Sequence, residues 1–122
     1  VLIAASLCLA QQAWAGELDG RWRNGSWTDD NTGHTGPLRA RFRETANGDY
    51  RVVFTGRFAK VVPFRFATTL NVVERKDGTV EMAGESRIMG FWRFNYHAVA
   101  DAHHFQSQYS SSRWRGDFSL QR

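Results

Sequence analysis

Chemistry in this chain would have to come from a few stretches that bring histidine, serine, carboxylate or glycine together. Asp101, His103 and His104 are near neighbours, yet a metal centre needs three or four converging donors. His34 lies far away in sequence and His97 falls within the preceding predicted strand, so convergence is not implied, the cluster reads as a polar turn with exposed histidines, and no metal ligand set is assigned. Ser110-Ser111-Ser112 lacks the Gly-x-Ser-x-Gly elbow that presents a nucleophile, and no His-Asp pairing accompanies it by spacing. It reads as a turn. A carboxylate pair for glycoside chemistry would draw on Glu74, Glu81 or Glu85, but the strand register derived below turns Glu81 and Glu85 to solvent. Thr32-Gly33-His34-Thr35-Gly36 carries no phosphate-loop lysine and precedes no helical pattern, so it makes no nucleotide cradle; it reads as a loop at one barrel mouth. Asn24-Gly25-Ser26 matches a glycosylation sequon but reads as a bulge or turn. These residues assign no catalytic group and no cofactor, and an enzyme is the least supported class.

Two other sets can bind without reacting. Fourteen of the sixteen cations are arginine and the net charge is +4; arginine forms planar bidentate contacts with carboxylate or phosphate. In Arg39-Ala40-Arg41-Phe42-Arg43 the alternation sends Phe42 inward and the arginines outward, where Arg51 joins them across a hairpin. That patch, Arg39, Arg41, Arg43 and Arg51, suits an anionic polymer or protein. The aromatic interleaving needs no specific nucleic acid to explain it. Because Asp and Glu are scattered among the arginines along the sequence, the surface as a whole is expected to be intermixed. The second set lies inside: Trp92, Phe94, Tyr96, Tyr109 and Tyr50 would line a pocket for a small, partly apolar ligand, the tyrosines supplying polar handles.

These side chains need a scaffold, and from Trp22 onward apolar residues recur at every second position, the period of a half-buried strand. The pattern predicts eight strands, at 19–28, 37–45, 49–58, 63–75, 79–87, 91–100, 103–110 and 113–121. Two turns then set register, since a slip of one residue would invert every side chain. A three-residue loop at Ala46-Asn47-Gly48, with Gly48 left-handed, pairs Phe42 with Val52 and Ala40 with Phe54, and puts Arg41 opposite Val53 and Arg43 opposite Arg51. The same loop type at Lys76-Asp77-Gly78 pairs Val72 with Met82 and Leu70 with Gly84. The inward set becomes Trp22, Leu38, Ala40, Phe42, Tyr50, Val52, Phe54, Phe64, Phe66, Leu70, Val72, Val80, Met82, Phe105, Tyr109, Phe118 and Leu120, with the even residues Trp92 to Ala98 of the sixth strand. Short connections throughout favour an all-β, eight-stranded antiparallel up-and-down barrel, with a two-sheet β-sandwich as the alternative.

Leu18-Asp19-Gly20-Arg21-Trp22 opens the first strand with Gly-x-Trp, and the last strand, Arg113-Trp114-Arg115-Gly116-Asp117-Phe118, is rich in arginine. This resembles the calycin arrangement of lipocalins and avidins. The resemblance implies a calycin-like barrel whose floor is plugged by the first-strand tryptophan, with a last-strand cation over the indole face. The chain departs from it in having no C-terminal helix pattern, no Thr-Asp-Tyr-type loop and no disulfide pair. The biotin-contacting residues of avidin do not map onto it, so no ligand carries over. Gly33-His34-Thr35-Gly36-Pro37-Leu38-Arg39-Ala40, with Phe54-Thr55-Gly56-Arg57-Phe58 and Pro63-Phe64, also resembles a group of uncharacterised small secreted bacterial β-proteins, a likeness that implies no activity.

The N-terminal residues bear on location. An apolar run from Val1 to Ala10 ends in Ala13-Trp14-Ala15, the pattern of a secretory signal with an A-x-A cleavage site. It is too short to span a membrane, which takes about 20 apolar residues. The expected organisation is a signal at 1–15 and a single barrel domain at 16–122, secreted or periplasmic. Cys8, the only cysteine, falls inside the signal, so apolar burial alone has to stabilise the domain. Neither ligand identity nor oligomeric state is written in these patterns.

Overall fold

In a computed structural model, which describes residues 16–122 except residue 60 and residues 89–91, together with all but the side chains of Ile88 and Trp92, alternation becomes a closed barrel. The expected export segment and Cys8 lie outside the described residues. Nine strands follow in order: β1 (Gly20–Trp22), β2 (Asn24–Asp29), β3 (Thr35–Glu44), β4 (Tyr50–Phe58), β5 (Val62–Lys76), β6 (Thr79–Ile88), β7 (Trp92–Ala100), β8 (His104–Ser110) and β9 (Arg115–Gln121). All pairings are antiparallel and join sequence neighbours, except that β1 pairs with β3 and that β2 against β9 closes the ring. One barrel forms, and the sandwich alternative does not.

The first predicted strand is the one that differs. Trp22 pairs with Ala40 and Ser26 with Pro37, so Arg23, Asn24 and Gly25 stand against only Leu38 and Arg39. This extra residue is a β-bulge, which bends the strand and raises its twist. It divides the strand into β1 and β2 and inverts side-chain parity beyond it. Trp27, outward by simple alternation from Trp22, therefore turns in and packs against the core.

Both hairpins reach their expected register, by different routes. At the first, Gly48 donates its N–H to the Thr45 carbonyl at 3.0 Å and Thr45 donates to Asp49 at 2.8 Å. Gly48 has φ 85°, the three-residue loop with a left-handed glycine, and Phe42 meets Val52 while Arg43 meets Arg51. The second turn is a residue shorter than expected. Lys76 pairs with Thr79, and Asp77 and Gly78 both have positive φ, 54° and 80°, the geometry of a type I′ turn. A bulge between Val72 and Glu74 restores the lost residue, so Val72 still faces Met82 and Leu70 still faces Gly84.

Above Leu70↔Gly84 that ladder stops. Among the described residues the mouth half of β5 is paired on one edge, to β4, and the mouth half of β6 only to β7. A seam thus runs down one wall from the mouth.

The interior is filled mainly by rings. Phe42, Phe54 and Phe105 meet near the axis at centroid distances of 5.2 to 6.2 Å, and Phe118 packs on Phe54 at 5.1 Å. Such tilted and edge contacts add to area burial roughly 0.5–1.5 kcal/mol per pair. Where the sheet bends most, inward glycines lie beneath an aromatic neighbour: Trp27 crosses Gly36, Phe64 crosses Gly56 and Tyr109 crosses Gly116. Each ring occupies the space a Cβ would take, which lets the sheet coil into a cylinder without leaving a void.

At the floor, Trp22 is fully buried and donates its indole N–H to the Leu18 carbonyl at 2.9 Å. Arg122, just beyond β9, lays its guanidinium 4.3 Å from the Trp22 ring centroid. The cation over the indole is therefore Arg122, where the resemblance had pointed to the Arg113–Phe118 segment. Its three nitrogens also donate to the carbonyls of Ala102, Asp19 and Glu17, tying the residues before β1 and the end of β9 to the β7–β8 turn. Replacing Arg122 by Ala should cost about 2 kcal/mol in thermal unfolding. Arg122→Lys should cost less, since it keeps the charge and loses the fork. Gly116→Ala, whose methyl would overlap the Thr28 carbonyl and the Tyr109 ring, should cost about 3 kcal/mol.

Candidate functional site: an aromatic mouth and an arginine face

The end opposite Arg122 is where rings are left partly uncovered. Trp27, Phe64, Phe66, Tyr109 and Trp114 are half-buried against the core, and Phe58 at the rim is 45% exposed. Phe64, Phe66 and Tyr96 run nearly parallel, with interplanar angles of 23° and 16° at 6.1 and 6.3 Å. Two residues before Tyr96 on the same face of β7, Phe94 stacks on Trp114 at 6.1 Å and 11°. Trp27 is fixed edge-on to Phe64 at 6.4 Å, its indole N–H bound to the Arg57 carbonyl at 2.9 Å.

Of the five residues expected to line a pocket, Phe94, Tyr96 and Tyr109 converge here. Tyr96 pairs across the strands with Tyr109, and Phe94 packs on Tyr109 at 6.1 Å. The backbone of Trp92 opens β7, and its side chain lies outside the described residues. Tyr50 does not join them: it is fully buried toward the floor, its ring on Phe42 at 6.1 Å and its hydroxyl 3.5 Å from the Leu18 amide. The alternation that places Tyr50 inward says nothing of height, and one strand length separates the two ends. Trp27 and Trp114 are mouth residues the sequence reading missed. For Trp27 the available signal was the bulge-forming Asn24-Gly25; Trp114 keeps the inward parity of Phe118.

The polar handles are specific. Tyr109 donates its hydroxyl to the Thr28 carbonyl at 2.7 Å, so it is committed to a bond that ties β8 to β2 across Gly116 of β9. Tyr96 shares a 2.8 Å hydrogen bond with Ser86 Oγ beside the seam. Thr68, 2% exposed on the inner face of β5, has a hydroxyl with no hydrogen-bond partner. Its position is one inward step below Phe66.

The groups that suggested reaction chemistry serve as caps or surface pairs. Asp101 Oδ1 accepts the backbone N–H groups of His103 and His104, each at 2.8 Å, and the His104 ring at 3.3 Å. Those backbone bonds, led by His103, hold the Asp101 carboxyl below its ordinary pKa. Among the described residues no three His, Cys, Asp or Glu side chains gather as a metal site. Ser111 Oγ accepts the N–H of Arg113 and Trp114 in a turn. Glu81 lies on the outer surface against His97 at 2.9 Å, and Glu85 against Arg93 at 2.9 Å. The Thr32–Gly36 stretch follows a turn capped by Asp29, whose carboxylate accepts from Asn31 N and Thr32 Oγ1 at 3.0 Å.

The arginines depart from the expected intermixing. Arg39, Arg41, Arg43 and Arg51 are exposed as anticipated, and the fold brings Arg21, Arg23, Arg57 and Arg65 to the same outer face. Carboxylates that alternate with them in sequence fall at the barrel ends or on β6 and β9. Charge that is mixed along the chain is sorted in space, because strands β1, β3, β4 and the mouth half of β5 are neighbours.

Fold and site together define a small closed antiparallel β-barrel with an aromatic-lined open end. No protein-family model matches the chain, and no curated protein does. Among solved structures it is similar to a redesigned β-barrel, mFAP1, determined bound to DFHBI, with a TM-score of 0.67 and 18% identity over 87% of this chain and 95% of that one. At that identity the likeness concerns architecture.

Burial raises the pKa of all three tyrosines. Tyr96 is pushed up to about 12 by desolvation, with its Ser86 bond acting the other way. Tyr109 is raised mainly by desolvation, then by Asp29, Asp30 and Asp117, and Tyr50 mainly by desolvation. A raised folded pKa means that the unfolded chain releases these protons first. Stability should hold up to the ordinary tyrosine pKa near 10 and fall as pH rises beyond it toward the folded values. Tyrosinate absorbance in the native protein should stay low until about pH 11 and then rise together with unfolding.

Proposed function

We propose that this protein is a non-catalytic binding module that takes a small, flat, partly apolar molecule at its aromatic mouth. The observation that carries the reading is the unpartnered Thr68 hydroxyl, buried beside half-covered rings. A buried hydroxyl without a partner costs about 1–3 kcal/mol, and a ligand carbonyl at that depth would accept its proton. Phe64, Phe66 and Tyr96 offer parallel faces to a planar ring, and the Phe94–Trp114 stack continues the aromatic lining along β7 toward β9. Ser86 and Tyr96 add a second polar contact, with Tyr96 protonated at any physiological pH. The β-barrel of similar architecture determined with DFHBI bound supports the same use of the fold. The apolar Val1–Ala10 run and the Ala-Trp-Ala site support action outside the cytoplasm, secreted or periplasmic.

Prodan, an uncharged naphthalene ketone, tests this without engaging the surface charge. Its emission should shift to the blue on binding. Trp114→Ala and Phe64→Ala should each weaken it about tenfold, equal to about 1.4 kcal/mol. Thr68→Val should weaken it as well, while raising the stability of the free protein by about 1 kcal/mol, since an isosteric methyl replaces an unpaired hydroxyl. No blue shift, or affinities unchanged in the Trp114 and Phe64 variants, would refute the reading.

A further inference from the structure

We propose that the outer face formed by β1, β3, β4 and the mouth half of β5 binds a linear acidic polysaccharide. Cross-strand rows build it. Arg21 stands opposite Arg41, which stands opposite Val53; Arg39 stands opposite Thr55, which stands opposite Arg65; and Arg43 stands opposite Arg51. The outward positions of β3, β4 and residues 63–71 of β5 carry no carboxylate. Among the described residues none of Arg21, Arg23, Arg39, Arg41, Arg43, Arg51, Arg57 or Arg65 forms an ion pair. Like charges placed directly across an antiparallel pair destabilise it, and two such pairs, Arg21 with Arg41 and Arg43 with Arg51, are kept here without an internal counter-charge. An external anion bridging them would remove that repulsion.

The shape selects among anions. Arg21, Arg23, Arg39, Arg41 and Arg65 line a groove of about 400 Å³ floored by Val53 and Thr55. A furrow between guanidinium rows accepts a single thin chain, whereas a lipid surface is flat. Between the arginines lie Val53, Thr55, Ala67 and Thr69, and Trp22, the aromatic residue at the groove, is fully buried, so among the described residues no exposed ring lies between them on which a nucleic-acid base could stack, the contact that single-strand binders rely on. Guanidinium forks match carboxylates bidentately, and the Thr55 hydroxyl can bond sugar hydroxyls. Neighbouring strands are about 4.8 Å apart and alternate residues about 6.7 Å, so cations repeat at the scale of one charge per sugar. On the far side a comparable groove of about 420 Å³ mixes Asp30 and Asp117 with His97 and Arg115 and offers no such lattice.

The test uses polygalacturonate, with an oligothymidylate and phosphatidylglycerol vesicles as rivals, at about 0.1 M salt where exposed charges more than about 10 Å apart are already screened. The double variant Arg39→Glu with Arg41→Glu should weaken polygalacturonate binding tenfold or more. Arg87→Glu with Arg115→Glu, the same change in net charge on the opposite side, should leave it within about twofold. Arg41→Gln should weaken binding while raising Tm by about 2 °C, the reverse of what a structural role would give. Equal losses in the two double variants, no polygalacturonate binding, or tighter binding of the oligothymidylate or the vesicles would each overturn the proposal.

Discussion

A sheet of eight strands that closes on itself encloses a narrow cross-section, and the side chains of its inner face have to fill that space and no more. The rest of this structure follows from that limit. Phe42, Phe54, Phe105 and Phe118 occupy the axis, and the wall can bend around rings of that size because Gly36, Gly56 and Gly116 give up their own side chains beneath Trp27, Phe64 and Tyr109. Bulk in one strand is matched by absence in its neighbour. Residues 16–122 contain no cysteine, and ring packing with the Arg122 clamp at the floor ties the residues before β1 to the end of β9.

Filling is uneven along the axis, and the proposed binding site rests on that unevenness. Near the floor Leu18, Trp22, Phe42 and Tyr50 are sealed from solvent. Near the mouth the same kind of side chain is left half-covered, and the hydroxyls of Thr68, Ser86 and Tyr96 are set among the rings. Outside, the barrel offers two unlike surfaces. One is a mixed face where Glu81 meets His97 and Glu85 meets Arg93; the other is a face of arginines alone. The aromatic mouth and the arginine face thus lie at separate places on the barrel.

How much of this was legible depended on range. Alternation in Arg39–Arg43 and Tyr50–Phe54 stated which residues face inward, and Gly48 set their register, because both are local effects of a period of two. Asn24-Gly25-Ser26 reads as a bulge or turn, but alternation alone did not carry the parity inversion that a bulge imposes through to Trp27, because how many residues stand opposite it is a property of two strands together. The second hairpin reached the expected pairs through a shorter turn and a bulge, two opposite errors that alternation cannot separate. Tyr50 was grouped with Tyr96 and Tyr109 because parity fixes the side of the wall and leaves the height open. The arginine face was half legible: Arg39, Arg41, Arg43 and Arg51 belong to one hairpin, whereas Arg21 and Arg65 join them only when β1 and β5 flank it.

The seam between β5 and β6 has a kinetic meaning. Along residues 62–69 alternate amides turn toward β4 and are paired, and those between them turn toward a strand that does not receive them. Backbone groups without a ladder partner exchange with solvent through small local openings, so this wall would part first while the floor stays shut. Under the binding reading proposed above, a guest wider than the resting aperture would enter by spreading this slit, while Arg122 keeps the floor clasped.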